Sequence, residues 1–211
     1  MRLTIFGASG GVGRELVRQG AELGHEVTAV VRTASTLDAP DGVRVVRVDG
    51  LRDAETLTPA VRGADAVLSA VGPHGRNDGP VAAPATAAIL AAMSATGVRR
   101  IVAVSAAPVG APAPGDGFLG RRILMPLIGA LLRPVYDDLA AMERELQDSG
   151  LEWTVVRPPR LTNKPGAGVY RRTVGRNLDH AYAISRADTA HAMLAALGDP
   201  STVRQPLGIA Q

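Results

Sequence analysis

The stretch Leu3-Thr4-Ile5-Phe6-Gly7-Ala8-Ser9-Gly10-Gly11-Val12-Gly13-Arg14 decides how the rest of the chain is read. A short apolar, strand-like run enters a glycine-rich turn. Beyond it Val12, Leu16, Val17, Ala21 and Leu23 recur at helical spacing as far as Gly24. Glycines between a strand and a helix have a physical use. Gly7 permits a tight turn, Gly10 lets backbone approach a pyrophosphate, and Gly13 lets the helix pack close to the sheet, while the helix N-terminus presents oriented N–H donors. The spacing predicts a dinucleotide site over Gly7, Ala8, Ser9, Gly10, Gly11, Val12 and Gly13.

Working outward, strands are expected over 26–31, 43–48 and 64–71, with short polar helical segments between them. An alanine-rich helix over 82–96, closed by Gly97, leads to an apolar strand over 100–105. An Ala/Pro/Gly loop over 106–117 precedes an apolar run from Ile123 to Leu132. A helix over 136–149 then opens with Asp137 and Asp138, and a strand follows over 153–157. After Pro158-Pro159 come a short strand over 169–174, a helix from Ser185 with Asp188 completing a capping box, and a strand over 207–210 that closes the sheet. This alternation predicts one Rossmann-type, doubly wound α/β domain over 1–211, with a mainly parallel sheet, helices on both faces and a substrate crevice formed by about 106–180.

Composition narrows the chemistry. With 211 residues, 46% of them hydrophobic, the chain suffices for one core and is short for two domains. It has four histidines and no cysteine, which removes thiol nucleophiles, disulfides and Cys-containing metal sites. The pI of 9.9 comes with a net charge of only +3, scattered arginines and 3% aromatics, a poor match for nucleic acid. No apolar stretch of signal-peptide form precedes the first strand, so the expectation is a cytoplasmic protein. The 123–132 run is broken by Pro126 and falls short of the roughly 18 residues a membrane helix requires, which leaves it as a core, lid or homodimer surface.

Arg32 ends the second strand, where NAD-binding proteins present an acid to the ribose and NADP-binding proteins a cation to the 2′-phosphate, so NADP(H) is the expected cofactor. Asp49, with Gly50 after it, stands at the end of the third strand as an adenine contact or a helix cap.

Taken together, Ile5 to Gly10, Val30-Val31-Arg32, Val48-Asp49, Val71-Gly72 with the later Arg76-Asn77-Asp78, Val102 to Ser105, Asp137-Asp138, Ser149-Gly150-Leu151, Pro158-Pro159 and Ile184-Ser185 occur in an order that resembles the atypical short-chain dehydrogenase/reductases with an NmrA-like fold, in particular the flavin reductase (biliverdin reductase B) type. The resemblance implies further cofactor contacts from Ala70, Val71, Gly72, Ser105, Pro158 and Pro159, with Ser105 near the nicotinamide. Arg160 and Leu139 stand where that type has histidines, which argues against a tetrapyrrole substrate.

The Tyr-x-x-x-Lys pair of ketone-reducing relatives is absent: the positions four after Tyr136, Tyr170 and Tyr182 are Ala140, Val174 and Arg186, and Lys164 is the sole lysine. Hydride transfer to a small conjugated acceptor such as a flavin or quinone remains, with Ser105 and Tyr136 as catalytic candidates and His74 as a lesser substrate contact. The alternative is a non-enzymatic NADP(H) sensor of the NmrA-like kind.

Overall fold

A computed structural model describes residues 1–73, 75, 78–111 and 125–211, the side chains of 125–131 excepted. The chain runs β1 (Arg2–Phe6), α1 (Gly11–Glu22), β2 (Glu26–Arg32), β3 (Arg44–Val48), α2 (Ala54–Val61), β4 (Ala66–Ser69), α3 (Ala82–Thr96), β5 (Arg100–Val104), α4 (Met125–Asp148), β6 (Glu152–Arg157), β7 (Arg160–Thr162), β8 (Arg171–Val174), β9 (Ala183–Ser185), α5 (Arg186–Leu197) and β10 (Gln205–Ala210). Eight strands form one sheet in the order β3-β2-β1-β4-β5-β6-β10-β8, parallel except for β8.

Side-chain alternation along each strand feeds two cores. Leu3 and Ile5 of β1 and Val102 of β5 face α1 and α5, meeting Leu16, Val17 and Met193. Phe6, Ile101 and Ala103 point to the opposite layer, with Leu57 of α2, Ile89 and Met93 of α3, and Met142 and Leu146 of α4. This is the doubly wound arrangement expected.

Two expectations are corrected. The 123–132 run and the 136–149 helix are not separate elements: from Met125 onward they form one helix, α4, that passes through Pro134. A proline there removes one i→i−4 bond, and the burial of Leu139, Met142 and Leu146 against the sheet outweighs that loss. The last strand does not close the sheet, because β8 pairs outside β10 in antiparallel sense, Leu207 opposite Val174. The β7–β9 pair, each strand three residues long, carries no readable periodicity.

Buried charged groups join distant segments in the second half. The Asp138 carboxylate on α4 accepts from the backbone N–H groups of Val81, Ala82 and Ala83 at 2.9, 2.7 and 3.0 Å, capping α3, whose own N-cap residue offers no side-chain bond. Buried Arg100 donates to the carbonyls of Glu152 at 2.7 Å and Ala196 at 2.6 Å, tying β5 to β6 and to the C-terminus of α5. Asp188, 1% exposed, accepts from Ser185 Oγ at 2.7 Å, Gly168 N at 2.9 Å, Ala167 N at 3.0 Å and Gln211 Nε2 at 2.9 Å.

Candidate functional site

The sheet order reverses at β1: the chain first winds outward through β2 and β3, then returns to β4 on the other side. Such a switch opens a crevice beyond the carboxyl ends of the strands. A cleft of about 650 Å³ lies there. The glycine turn forms its floor, and the turn's shape depends on missing Cβ atoms. Gly7 has φ +72°, and a Cβ on it would fall 2.6 Å from the Ala70 carbonyl carbon; on Gly13 it would fall 2.0 Å from Gly7 O. Gly10 N donates to Gly7 O at 3.0 Å, closing the turn. Backbone this open, leading into a helix N-terminus, fits a dinucleotide diphosphate.

Of the residues singled out in the sequence, Gly7, Ser9, Gly10, Gly11, Val12, Arg32, Asp49, Gly50, Ala70, Val71, Gly72 and Ser105 all line this one cleft. Ala8 and Gly13 are buried behind it and shape the turn. Pro158 and Pro159 lie off the lining; Pro158 is buried, and its carbonyl accepts from Ala107 N at 2.9 Å, fixing the start of the 106–111 segment. Tyr136 is also off the lining, half-buried against the α2–α4 core, where burial pushes its phenol above the usual value. His74, positions 112–117 of the expected 106–117 loop and positions 118–124 after it lie outside the described residues.

The two ends of the cleft differ in chemistry. Beyond β2 and β3, the exposed Arg32 side chain has no ion pair with a described residue; Thr33 Oγ1 donates to Asp49 Oδ1 at 2.8 Å, and Arg52 Nη2 donates to Pro80 O at 2.8 Å. At the other end the walls are Val104, Val135, Leu139 and Leu161. The polar side chain there is Ser105, which is 7% exposed and donates to Glu143 Oε1 at 2.6 Å. Glu143 is itself buried and held by Arg157, whose Nε donates to Oε1 at 3.0 Å and whose Nη2 meets Oε2. A carboxylate paired with an arginine only accepts hydrogen bonds, so the hydroxyl hydrogen of Ser105 is committed and its Oγ offers lone pairs.

The sequence reading missed Glu143, Asp138 as a cap, and Arg186. Arg186 lines the cleft beside Gly10 and Gly11 and donates from Nη1 to Asn163 Oδ1 at 2.5 Å. A cation in the first position of α5, remote in sequence from the glycine turn, carries no local signal for such a site.

Residues 7–200 match the profile of the NAD(P)H-binding family, and the chain belongs to that family. Mycobacterial relatives of unassigned function are 32% identical over 157 residues, covering 74% of this chain; the chain spans 14% of their length. The Bacillus subtilis protein YhfK, described as an uncharacterised sugar epimerase, is 26% identical and covers 96% of this chain and 90% of its own. A Streptomyces 3-diazoavenalumate denitrifying reductase is 35% identical over 81% of this chain and 59% of its own. Among solved structures, a Veillonella parvula short-chain dehydrogenase/reductase in complex with NADP superposes with TM-score 0.80 at 20% identity, covering 100% of this chain and 94% of its own. The anaerobillin reductase ChuY of Escherichia coli O157:H7 does so with 0.77 at 23%, covering 100% and 97%. Among the described residues no helix is long and apolar enough to cross a membrane.

Proposed function

We propose that this member of the NAD(P)H-binding family is an NADPH-dependent reductase that passes a hydride to a small conjugated acceptor, such as a flavin or quinone, while water supplies the proton. The observation that carries this reading is the state of Ser105. Its hydrogen is given to Glu143, and around it stand Val104, Val135, Leu139 and Leu161, so the described residues at that end offer the acceptor no acid, Asp49 lying at the other end. An acceptor whose reduced form takes its proton from solvent suits such a pocket; a ketone, which needs a positioned acid, does not. Reduced nicotinamide, when bound, supplies the hydride. The protein's part is positioning: apolar walls for a flat acceptor, and Ser105 Oγ as an acceptor for an amide N–H of the cofactor's carboxamide. The substrate crevice is assigned to the 106–180 half of the chain, which contributes Val135, Leu139 and Leu161.

Preference for the phosphorylated cofactor rests on Arg32, whose guanidinium has no ion pair among the described residues and suits a bidentate 2′-phosphate contact. The NADP bound by the Veillonella relative and the reductase names of the Streptomyces protein and ChuY agree with the reading. The test follows nicotinamide absorbance with a panel of flavins, quinones and aldehydes. Turnover with flavin or quinone is expected, with Ser105→Ala losing turnover and keeping NADPH affinity. Arg32→Ala is expected to lose roughly tenfold or more in NADPH affinity while NADH affinity holds. Equal wild-type affinity for the two cofactors would remove Arg32 from the role, and turnover with aldehydes alone would remove the acceptor class.

A further inference from the structure

The glycine turn contains one glycine more than its geometry requires. Gly7, Gly10 and Gly13 make the turn, the close approach and the helix packing, and Gly11 falls outside that spacing. What Gly11 meets is Arg186. A Cβ on Gly11 would lie 2.5 Å from Arg186 Cδ and 2.6 Å from its Nε, so the arginine stem lies directly across the turn in the space a side chain would fill. Asn163 Oδ1, at 2.5 Å from Nη1, holds one prong of the fork from the far side. Arg186 lines the same cleft as Ser9 and Gly10, and among the described residues no carboxylate pairs with it. A cation laid beside the positive N-terminal end of α1, with no acid to offset it, is an arrangement an anion between them would stabilise.

We propose that Arg186 is a diphosphate clamp: its guanidinium closes over the cofactor's diphosphate from the α5 side, and Gly11 is glycine so that the stem can lie there. The inference rests on the cofactor assignment and adds to it a division of labour. Arg32 reads the 2′-phosphate and so distinguishes two cofactors, whereas Arg186 acts on the group both share.

The experiment titrates wild type, Arg186→Gln, Arg186→Lys and Gly11→Ala with NADPH, NADH and adenosine 2′-monophosphate, which lacks the diphosphate, by nucleotide fluorescence and calorimetry at fixed salt. Arg186→Gln is expected to lose about tenfold or more toward both dinucleotides alike and to keep its affinity for the monophosphate. Arg186→Lys should retain part of that affinity, since it keeps the charge and loses the fork. In Gly11→Ala the new Cβ displaces the stem, so it should reproduce the Arg186→Gln loss, with the double variant no worse than either single one. Unchanged dinucleotide affinity in Arg186→Gln, a loss confined to NADPH, or an equal loss toward the monophosphate would each overturn the clamp while leaving the cofactor assignment intact. A wild-type protein that binds neither dinucleotide would overturn both.

Discussion

The halves of the molecule on either side of residue 100 bury different things. Before it, the described side chains that are both polar and buried are the hydroxyls of Thr4, Ser69 and Thr86; from it onward come the charged groups Arg100, Asp138, Glu143 and Asp188. The first half relies on apolar alternation and on the turn glycines Gly7 and Gly13, on which a Cβ would collide with neighbouring backbone. The second is specified by charge-assisted hydrogen bonds between segments far apart in sequence. Such bonds are strong in a dry interior and leave a large penalty when one partner is removed. One of these networks, Ser105–Glu143–Arg157, stands at the substrate end of the cleft, whereas the cofactor turn is shaped by backbone and by the absence of Cβ atoms.

The largest effect is expected from emptying the Glu143 position. Glu143→Ala leaves the partly buried Arg157 without its acid and Ser105 without its acceptor, and a loss of about 3–5 kcal/mol is expected in urea unfolding. A loss under about 1 kcal/mol would mean that the buried charges do not specify the second half. Next, Arg100→Met removes the donor to the Glu152 and Ala196 carbonyls while keeping an apolar stem, so about 1–3 kcal/mol is expected, measured the same way.

Acid acts on the buried charges of the second half. Burial raises the Asp188 carboxyl, but the bonds from Ser185, Gly168, Ala167 and Gln211 together hold it below its ordinary value. A folded-state value below the unfolded one contributes stability that is fully present above the unfolded value, near pH 4, and is lost as pH falls through the folded value. Stability measured from pH 5 downward should fall less steeply in Asp188→Asn than in wild type, and parallel slopes would take the group out of the account. The smallest effect belongs to the first half's exposed ion pairs: Arg18→Ala, which loses Glu15 and Glu22 on the α1 surface, should stay within about 1 kcal/mol.

The same division explains what could be read from the sequence. β1, the glycine turn, α3 with its Gly97 end and the run of parallel strands obey local rules, and the residues chosen from them converge on one cleft. Asp138 looked like a first-turn acid of its own helix because sequence shows only neighbours; its three partners are 55–57 residues away. Ser105 was placed correctly at a strand end, but nothing nearby showed that Glu143, 38 residues on, takes its hydrogen. The 123–132 run and the 136–149 helix read as separate elements because the packing that carries α4 through Pro134 is not visible locally.

The sheet's rims, β3 and β8, have a consequence for how the protein behaves in crowded solution. Each carries two exposed arginines, Arg44 and Arg47 on one and Arg171 and Arg172 on the other. An edge strand is a template on which another chain can add; Arg172 is paired with Asp199, but Arg44, Arg47 and Arg171 have no ion pair among the described residues, so each rim keeps positive charge that opposes rim-to-rim approach. The arginine excess thus acts as protection against strand-on-strand aggregation, a protection that weakens as added salt shortens the range of the repulsion below roughly 10 Å.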